Sequence, residues 1–248
     1  MLKRYTKEWA NQMDTYQKWL EEEKAWIGTY CSKIRRQSLC ITTPAILVGT
    51  TIIIGGLSAV GGGSMEDFGY GAFGGFMAGA MICAIYLLIL LPGLNPKRYA
   101  KKIEKSVKGL SLSETEKELL AQEMLEADEK HKISYTIAGP GSKGTPGRFV
   151  LTPHFAFLEG STPYAILVRL SDIARIGRGE EKKTATQRSG NTKRVYWFTL
   201  YTIGFYRKDR FQRNLTEKDL PDEAFGFFDA GIREQVMGLL AETGIRVE

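Results

Sequence analysis

The chain has 248 residues, 43% hydrophobic and 25% charged, a size that holds one or two modest domains. Its formal net charge is +6, but much of that excess lies immediately beside two apolar stretches. Orientation in a membrane and attraction to anionic lipid therefore account for the charge before nucleic acid does, and nucleic-acid binding is set aside.

In chain order, the first expected element is an amphipathic helix over Thr6 to Ile27, because Trp9, Met13, Tyr16, Leu20 and Ile27 recur at helical spacing. Trp19 and Trp26 would anchor such a helix in a membrane interface. The acidic run Glu21, Glu22 and Glu23 instead favours docking against the protein's own parts. The charged, Trp-rich start of the chain lacks the pattern of a cleaved secretion signal.

Two membrane spans are expected next. Leu39 to Val60 and Tyr70 to Leu91 are each 22 residues without a charged side chain, about 33 Å as helix and enough for a hydrocarbon core of roughly 30 Å. Buried core helices of a soluble protein seldom reach that length without charge. Pro44 falls in the first turns of the first span, and Pro92-Gly93 is expected to stop the second. Lys33, Arg35 and Arg36 precede the first span and Lys97, Arg98, Lys101, Lys102, Lys105 and Lys108 follow the second, whereas the connecting loop carries only Glu66 and Asp67. Both termini are accordingly expected in the cytoplasm, in a multi-pass protein of the cytoplasmic membrane. Gly71, Gly75 and Gly79, with Gly55, Ala59 and Gly63 on the first span, form small-residue stripes that admit a close neighbour. The partner is either the other span of the same chain or further copies in a homo-oligomer, of which a channel-like effector is one version. With no ionisable residue in either span, a proton relay at membrane depth is not expected.

The basic segment Lys97 to Lys108 reads as a helix at headgroup level, an orientation signal or a contact for anionic lipid. Ser113-Glu-Thr-Glu116 has the reciprocal capping pattern and starts a helix to about Asp128. From Ile133 short β-branched and aromatic runs take over. Strands are expected near Ile133 to Ala138, Phe149 to Leu158, Ala165 to Val168 with Ile173 to Ile176, Val195 to Tyr206, and Arg210 to Leu215. Phe225, Phe228, Ile232, Val236, Leu239 and Leu240 then mark an amphipathic helix over Asp222 to Glu242.

Strands followed by one C-terminal helix, with Phe149-Val-Leu-Thr, Phe157-Leu and Leu170-Ser-Asp-Ile-Ala-Arg-Ile176, resemble bacterial pleckstrin-homology-like (PH-like) domains tethered to paired membrane spans. The resemblance covers about the last 115 residues and implies a small β-barrel or sandwich that binds a protein or lipid and catalyses nothing. The polar excursion Arg178 to Arg194 departs from it.

The expected organisation is thus an N-terminal helix over 1–38, a transmembrane hairpin over 39–94, basic and linker helices over 95–130, and a PH-like β domain over 131–248. The fold class is an α+β membrane protein. Gly139 to Gly147 only superficially suggests a phosphate loop, since Lys143 precedes Gly144 and a strand follows where a helix should. His131 and His154 are the only histidines, and Cys31, Cys40 and Cys83 lack the spacing of a zinc site or disulfide framework, so no catalytic, cofactor or metal site is expected. The candidate anionic-ligand surface is Arg175, Arg178, Lys182, Lys183, Arg188, Lys193 and Arg194, with Arg207, Lys208, Arg210 and Arg213 nearby. A non-enzymatic membrane-anchored binding or scaffold protein is the first reading, with membrane lipids and a protein as its partners, and the oligomeric effector the second.

Overall fold

The computed structural model describes residues 14–62, 64–139, 144–160, 165–189, 192–211 and 220–248, without the side chains of 187–189, 192, 210 and 211. The expectations for Trp9, Met13, Gly63, Lys143, Arg213 and the strand beyond Phe211 lie outside the described residues, as does the Arg188 side chain. The chain forms two compact units: Lys24–Tyr99, and the residues up to Glu23 together with Ala100–Glu248.

The first unit is built on two long apolar helices. Helix α1 (Thr15–Gln37) continues through a π-helical turn, Ser38–Thr42, into α2 (Thr43–Gly62). Pro44 therefore lies inside a continuous 48-residue helix rather than at the start of one. The π turn accommodates the missing proline N–H, and the Thr43 hydroxyl donates to the Ser38 carbonyl there at 2.9 Å. Helix α3 (Met65–Gly93) begins five residues before the expected Tyr70, because the Ser64 side chain caps it by accepting from the Asp67 amide. It runs through Pro92 to Gly93 instead of stopping before them. Both α2 and α3 are long and apolar enough to cross a membrane, and only 6% and 17% of their most apolar stretches is buried.

The second unit is α+β. Helix α4 (Pro96–Gly109) enters it, followed by α5 (Glu114–Glu126), whose Ser113 and Glu116 form the reciprocal cap. Strands β1 (Lys132–Ile137), β2 (Thr145–Leu151), β3 (Phe155–Gly160) and β4 (Ala165–Arg169) make one antiparallel sheet in sequential order. The single strand expected over Phe149 to Leu158 is thus two, divided at Thr152, whose hydroxyl accepts from the Phe155 amide at 3.0 Å and whose own amide donates to the Phe155 carbonyl.

The second sheet has the order β7-β6-β5-β8. Its centre is a hairpin of β5 (Ile173–Ser189) and β6 (Thr192–Arg207), paired in continuous register from Arg175↔Tyr206 to Ser189↔Thr192. The expected polar excursion Arg178 to Arg194 is this hairpin, not a loop. Its Thr-rich and β-branched residues satisfy the backbone across the ladder although their side chains are polar. A four-residue helix α6 (Lys208–Phe211) stands where a strand from Arg210 was expected. The expected helix over Asp222 to Glu242 is a strand and a shorter helix: β7 (Glu223–Phe227), which pairs with β6, then α7 (Ala230–Ala241), capped by Asp229. Phe225 and Phe227 share one strand face by period two, whereas the helical expectation rested on Phe225 and Phe228, three residues apart. Strand β8 (Arg246–Val247) closes the sheet in parallel with β5.

The core between the sheets and α7 is aromatic and aliphatic. Phe205 and Phe225 pack edge to face at 4.7 Å, Phe149 joins Phe225 at 5.9 Å, and Val236, Met237 and Leu240 of α7 are buried in the same cluster.

Candidate functional site

The long hairpin carries most of the expected basic surface, and its register sorts those residues. Near its base the charges are compensated. Arg175 pairs with Glu248 at 2.7 Å and lies 4.1 Å over the Tyr206 ring. Arg178 reaches Glu234 at 3.4 Å, Lys183 reaches Glu181 at 2.8 Å, and Arg207 reaches Asp209 at 3.6 Å. Arg233 of α7, nearly buried, donates to the Gly179 carbonyl and pairs with Glu180, which fixes the helix to the hairpin base. Of the seven expected residues, Arg175, Arg178 and Lys183 are thus ion-paired.

Farther out the hairpin changes character. β7 pairs with β6 only from Tyr201 to Phe205, and β8 with β5 only at Arg175 and Ile176. The outer ribbon from Lys182↔Thr199 to Ser189↔Thr192 has no third strand among the described residues. Lys182, Lys193 and Arg194 are exposed there and make no ion pair among the described residues. Trp197, opposite Thr184, is 78% exposed, and Val195, opposite Thr186, is 46% exposed. Lys182 and Lys193 share their face by register, whereas Arg194 and Tyr196 lie on the other. The exposed Trp197 was missed because an apolar strand read from sequence looks covered on both faces.

Helix α4 is a second basic element. Ala100, Ile103 and Val107 are buried along one side, and Ser106 donates to the Ala165 carbonyl on β4. Lys97, Arg98, Lys101, Lys105 and Lys108 are exposed and form no ion pair among the described residues, leaving a cationic stripe along the helix. Lys102 is half-buried, and burial lowers its pKa.

Between α2 and α3 the small residues meet within the chain. A side chain on Gly75 would come within 2.6 Å of the Thr50 carbonyl oxygen and 3.0 Å of Thr51 Cα, and one on Gly71 within 3.0 Å of the Ile54 carbonyl. Gly79 lies against Leu47 and Thr50, and Gly55 against Phe68 and Ala72. Ala59 is half-buried.

A site that sequence reasoning missed joins α1 to the β domain. Arg148 of β2 bridges Glu159 of β3 and Glu23 of α1, and both carboxylates are buried. The Trp19 indole donates to Glu23 at 2.9 Å, and its ring packs edge to face on Phe157 at 5.8 Å. Burial, with Glu159 adding to it, pushes the Tyr135 hydroxyl pKa up. Burial also raises Tyr16 to about 12, with Glu104 and Glu114 contributing. Only the helical spacing of Tyr16 and Leu20 hinted that this segment had an inward face.

Among the described residues of the β domain, two cavities bear on the site. One of about 640 Å³ is lined by His131, His154, Glu123, Asp128 and Glu242. Each histidine there faces a carboxylate, His154 that of Glu123 and His131 that of Glu242 at 4.0 Å. The other, about 520 Å³, is lined mainly by Tyr135, Ile166, Phe198, Leu200, Phe227 and Phe228. Among the described residues no three His, Cys, Asp or Glu side chains are grouped to hold a metal ion, and no hydroxyl or thiol is bonded to a histidine ring. Asp172 accepts from Arg169 at 2.9 Å and from Ser171. Comparison with protein-family models, curated proteins and solved structures finds no match to this chain.

Proposed function

We propose that the chain is a non-enzymatic, membrane-anchored binding or scaffold protein. In this reading α2 and α3 cross the cell membrane as a hairpin, both termini are cytoplasmic, and the β domain is a PH-like recognition module. The observation that carries it is the exposure of the apolar helices. Val60 is 87% exposed, Leu88 74% and Ile89 76%, and each such side chain forgoes about 1.5–3 kcal/mol of burial if left in water. A contiguous apolar surface of that kind is what lipid covers.

The orientation is supported by the bases flanking the spans and by Glu66 and Asp67 at the linked ends. An antiparallel meander of strands that ends in α7 supports the PH-like reading. The second reading, an oligomer assembled through glycine stripes, draws less support, because α2 already occupies the stripe on α3.

Fractionation of cells producing the full chain tests the anchoring. The protein should stay in the membrane pellet through alkaline carbonate and be released only by detergent. Release into the carbonate supernatant would overturn the membrane-spanning reading.

A further inference from the structure

We infer that the outer half of the β5–β6 hairpin is an arm that binds the surface of an anionic bilayer, Trp197 and Val195 entering the headgroup layer between Lys182 and Lys193. This deepens the membrane-anchored reading and rests on it, naming the ligand and the residues that meet it.

Three observations converge on the arm. The first is mechanical. A two-stranded ribbon with no third strand is marginal in water, yet this one keeps its register through eight further pairs, from Lys182↔Thr199 to Ser189↔Thr192. Something that covers one face would stabilise it. The second is the face itself. Trp197 and Val195 stand exposed on the same side, an arrangement that leaves a large amphipathic ring in solvent. Tryptophan gains most at a boundary where its ring meets acyl chain and its indole N–H meets headgroup oxygen. The third is charge. From residue 182 to 199 the sequence holds Lys182, Lys183, Arg188, Lys193 and Arg194 and no acid. Lys182 and Lys193 lie on the Trp197 face without ion pairs among the described residues, and Arg188 is at the register position opposite Lys193.

The same charge decides between occupants. Two copies of the arm laid face to face would oppose bases with bases, a repulsive arrangement. An anionic lipid surface is complementary, and apolar helices in the same chain hold the arm at high effective concentration beside such a surface. An acidic protein would satisfy the lysines, but the flat, two-residue apolar patch fits an interface better than a pocketed partner.

Full-length protein in lipid nanodiscs tests the inference, with discs of phosphatidylcholine alone compared with an equal mixture of phosphatidylcholine and phosphatidylglycerol. The lipid chains are brominated to quench indole fluorescence at the acyl boundary. Subtracting the signal of Trp197→Phe isolates Trp197 from Trp9, Trp19 and Trp26. The expected result is quenching of the Trp197 component in anionic discs and little in neutral ones. Lys182→Glu with Lys193→Glu should lower arm occupancy at least about 25-fold, at about fivefold for each base near the surface. Both substitutions are on exposed positions, and retained cooperative melting verifies that the variant is folded. An unquenched Trp197 in anionic discs overturns the arm while leaving the anchor intact. So does quenching that survives charge reversal, or shielding that follows protein concentration rather than lipid charge. A chain that fails to enter discs overturns the anchor and the arm together.

Discussion

Arg148 sits between two buried carboxylates, Glu159 from the neighbouring strand and Glu23 from a helix 125 residues earlier in the chain. Three desolvated charges are sustained only because each finds a partner, and Trp19 supplies a further donor to Glu23. Such a cluster specifies where α1 docks more than it adds net stability, since an apolar trio of similar volume would avoid the desolvation cost. Glu116 shows the opposite, exposed case. The amide and hydroxyl of Ser113 hold its carboxyl below the usual range, and Arg169 adds to this. A lowered folded-state pKa means that the ionised group stabilises the fold above the unfolded carboxylate range, and that the contribution disappears as pH falls through the folded value. Thermal melts of wild type and Glu116→Gln should therefore differ most at neutral pH, wild type being the more stable, and converge on acidification. A gap independent of pH would assign the cap to neutral hydrogen bonding alone.

Among the elements, α2 and α3 approach closely enough for backbone to meet backbone. The approach at Gly75 is backbone to backbone, so an added methyl cannot be accommodated by turning a side chain, and the helices must separate. Gly74, one residue away, has nothing within 4 Å of the equivalent position. Gly75→Ala should lower stability in detergent or nanodiscs by about 1–3 kcal/mol. Gly74→Ala should be neutral or raise it by up to about 1 kcal/mol, the helix propensity gain. Denaturant titrations followed by helical circular dichroism compare the two, and equal effects would remove the glycine stripe from the packing. The β5–β6 hairpin is the element where neighbours change along the length: core and α7 at the base and, among the described residues, no further strand beyond Tyr201.

At the scale of the molecule, one folded unit is assembled from two separated pieces of chain, the stretch ending at Glu23 and Ala100–Glu248, while Lys24–Tyr99 forms the other. The β domain therefore draws part of its packing from residues before Lys132. A fragment of 132–248 lacks Trp19, Glu23 and the apolar side of α4, and leaves Phe157 and the Arg148 cluster without their cover. It should be less stable by about 3–5 kcal/mol than a protein in which residues 14–23 are joined by a flexible linker to 100–248. Urea unfolding of the two soluble fragments measures the difference, and equal midpoints would show that α1 contributes nothing to the domain.

The two long apolar helices were legible in the sequence because uncharged length is a local property, summed residue by residue. So were the Ser113 and Glu116 cap and the helical spacing of Val236 and Leu240, each set within a few residues. Local pattern failed where two structures share it. Phe225 and Phe228 fit a helix until β6 offered a ladder to Phe225, and Phe149 to Leu158 read as one strand until the Thr152 turn folded it in two. The polar stretch Arg178 to Arg194 looked like a loop because hairpin pairing is a relation between strands, invisible in either alone. The sequence by itself determined which segments are apolar enough for lipid and where the helix after Ser113 begins. Only the tertiary structure decided which bases are neutralised, which remain free beside Trp197, and that Glu23 belongs to a domain starting beyond Tyr99, because charge compensation and docking depend on contacts between residues far apart in the chain.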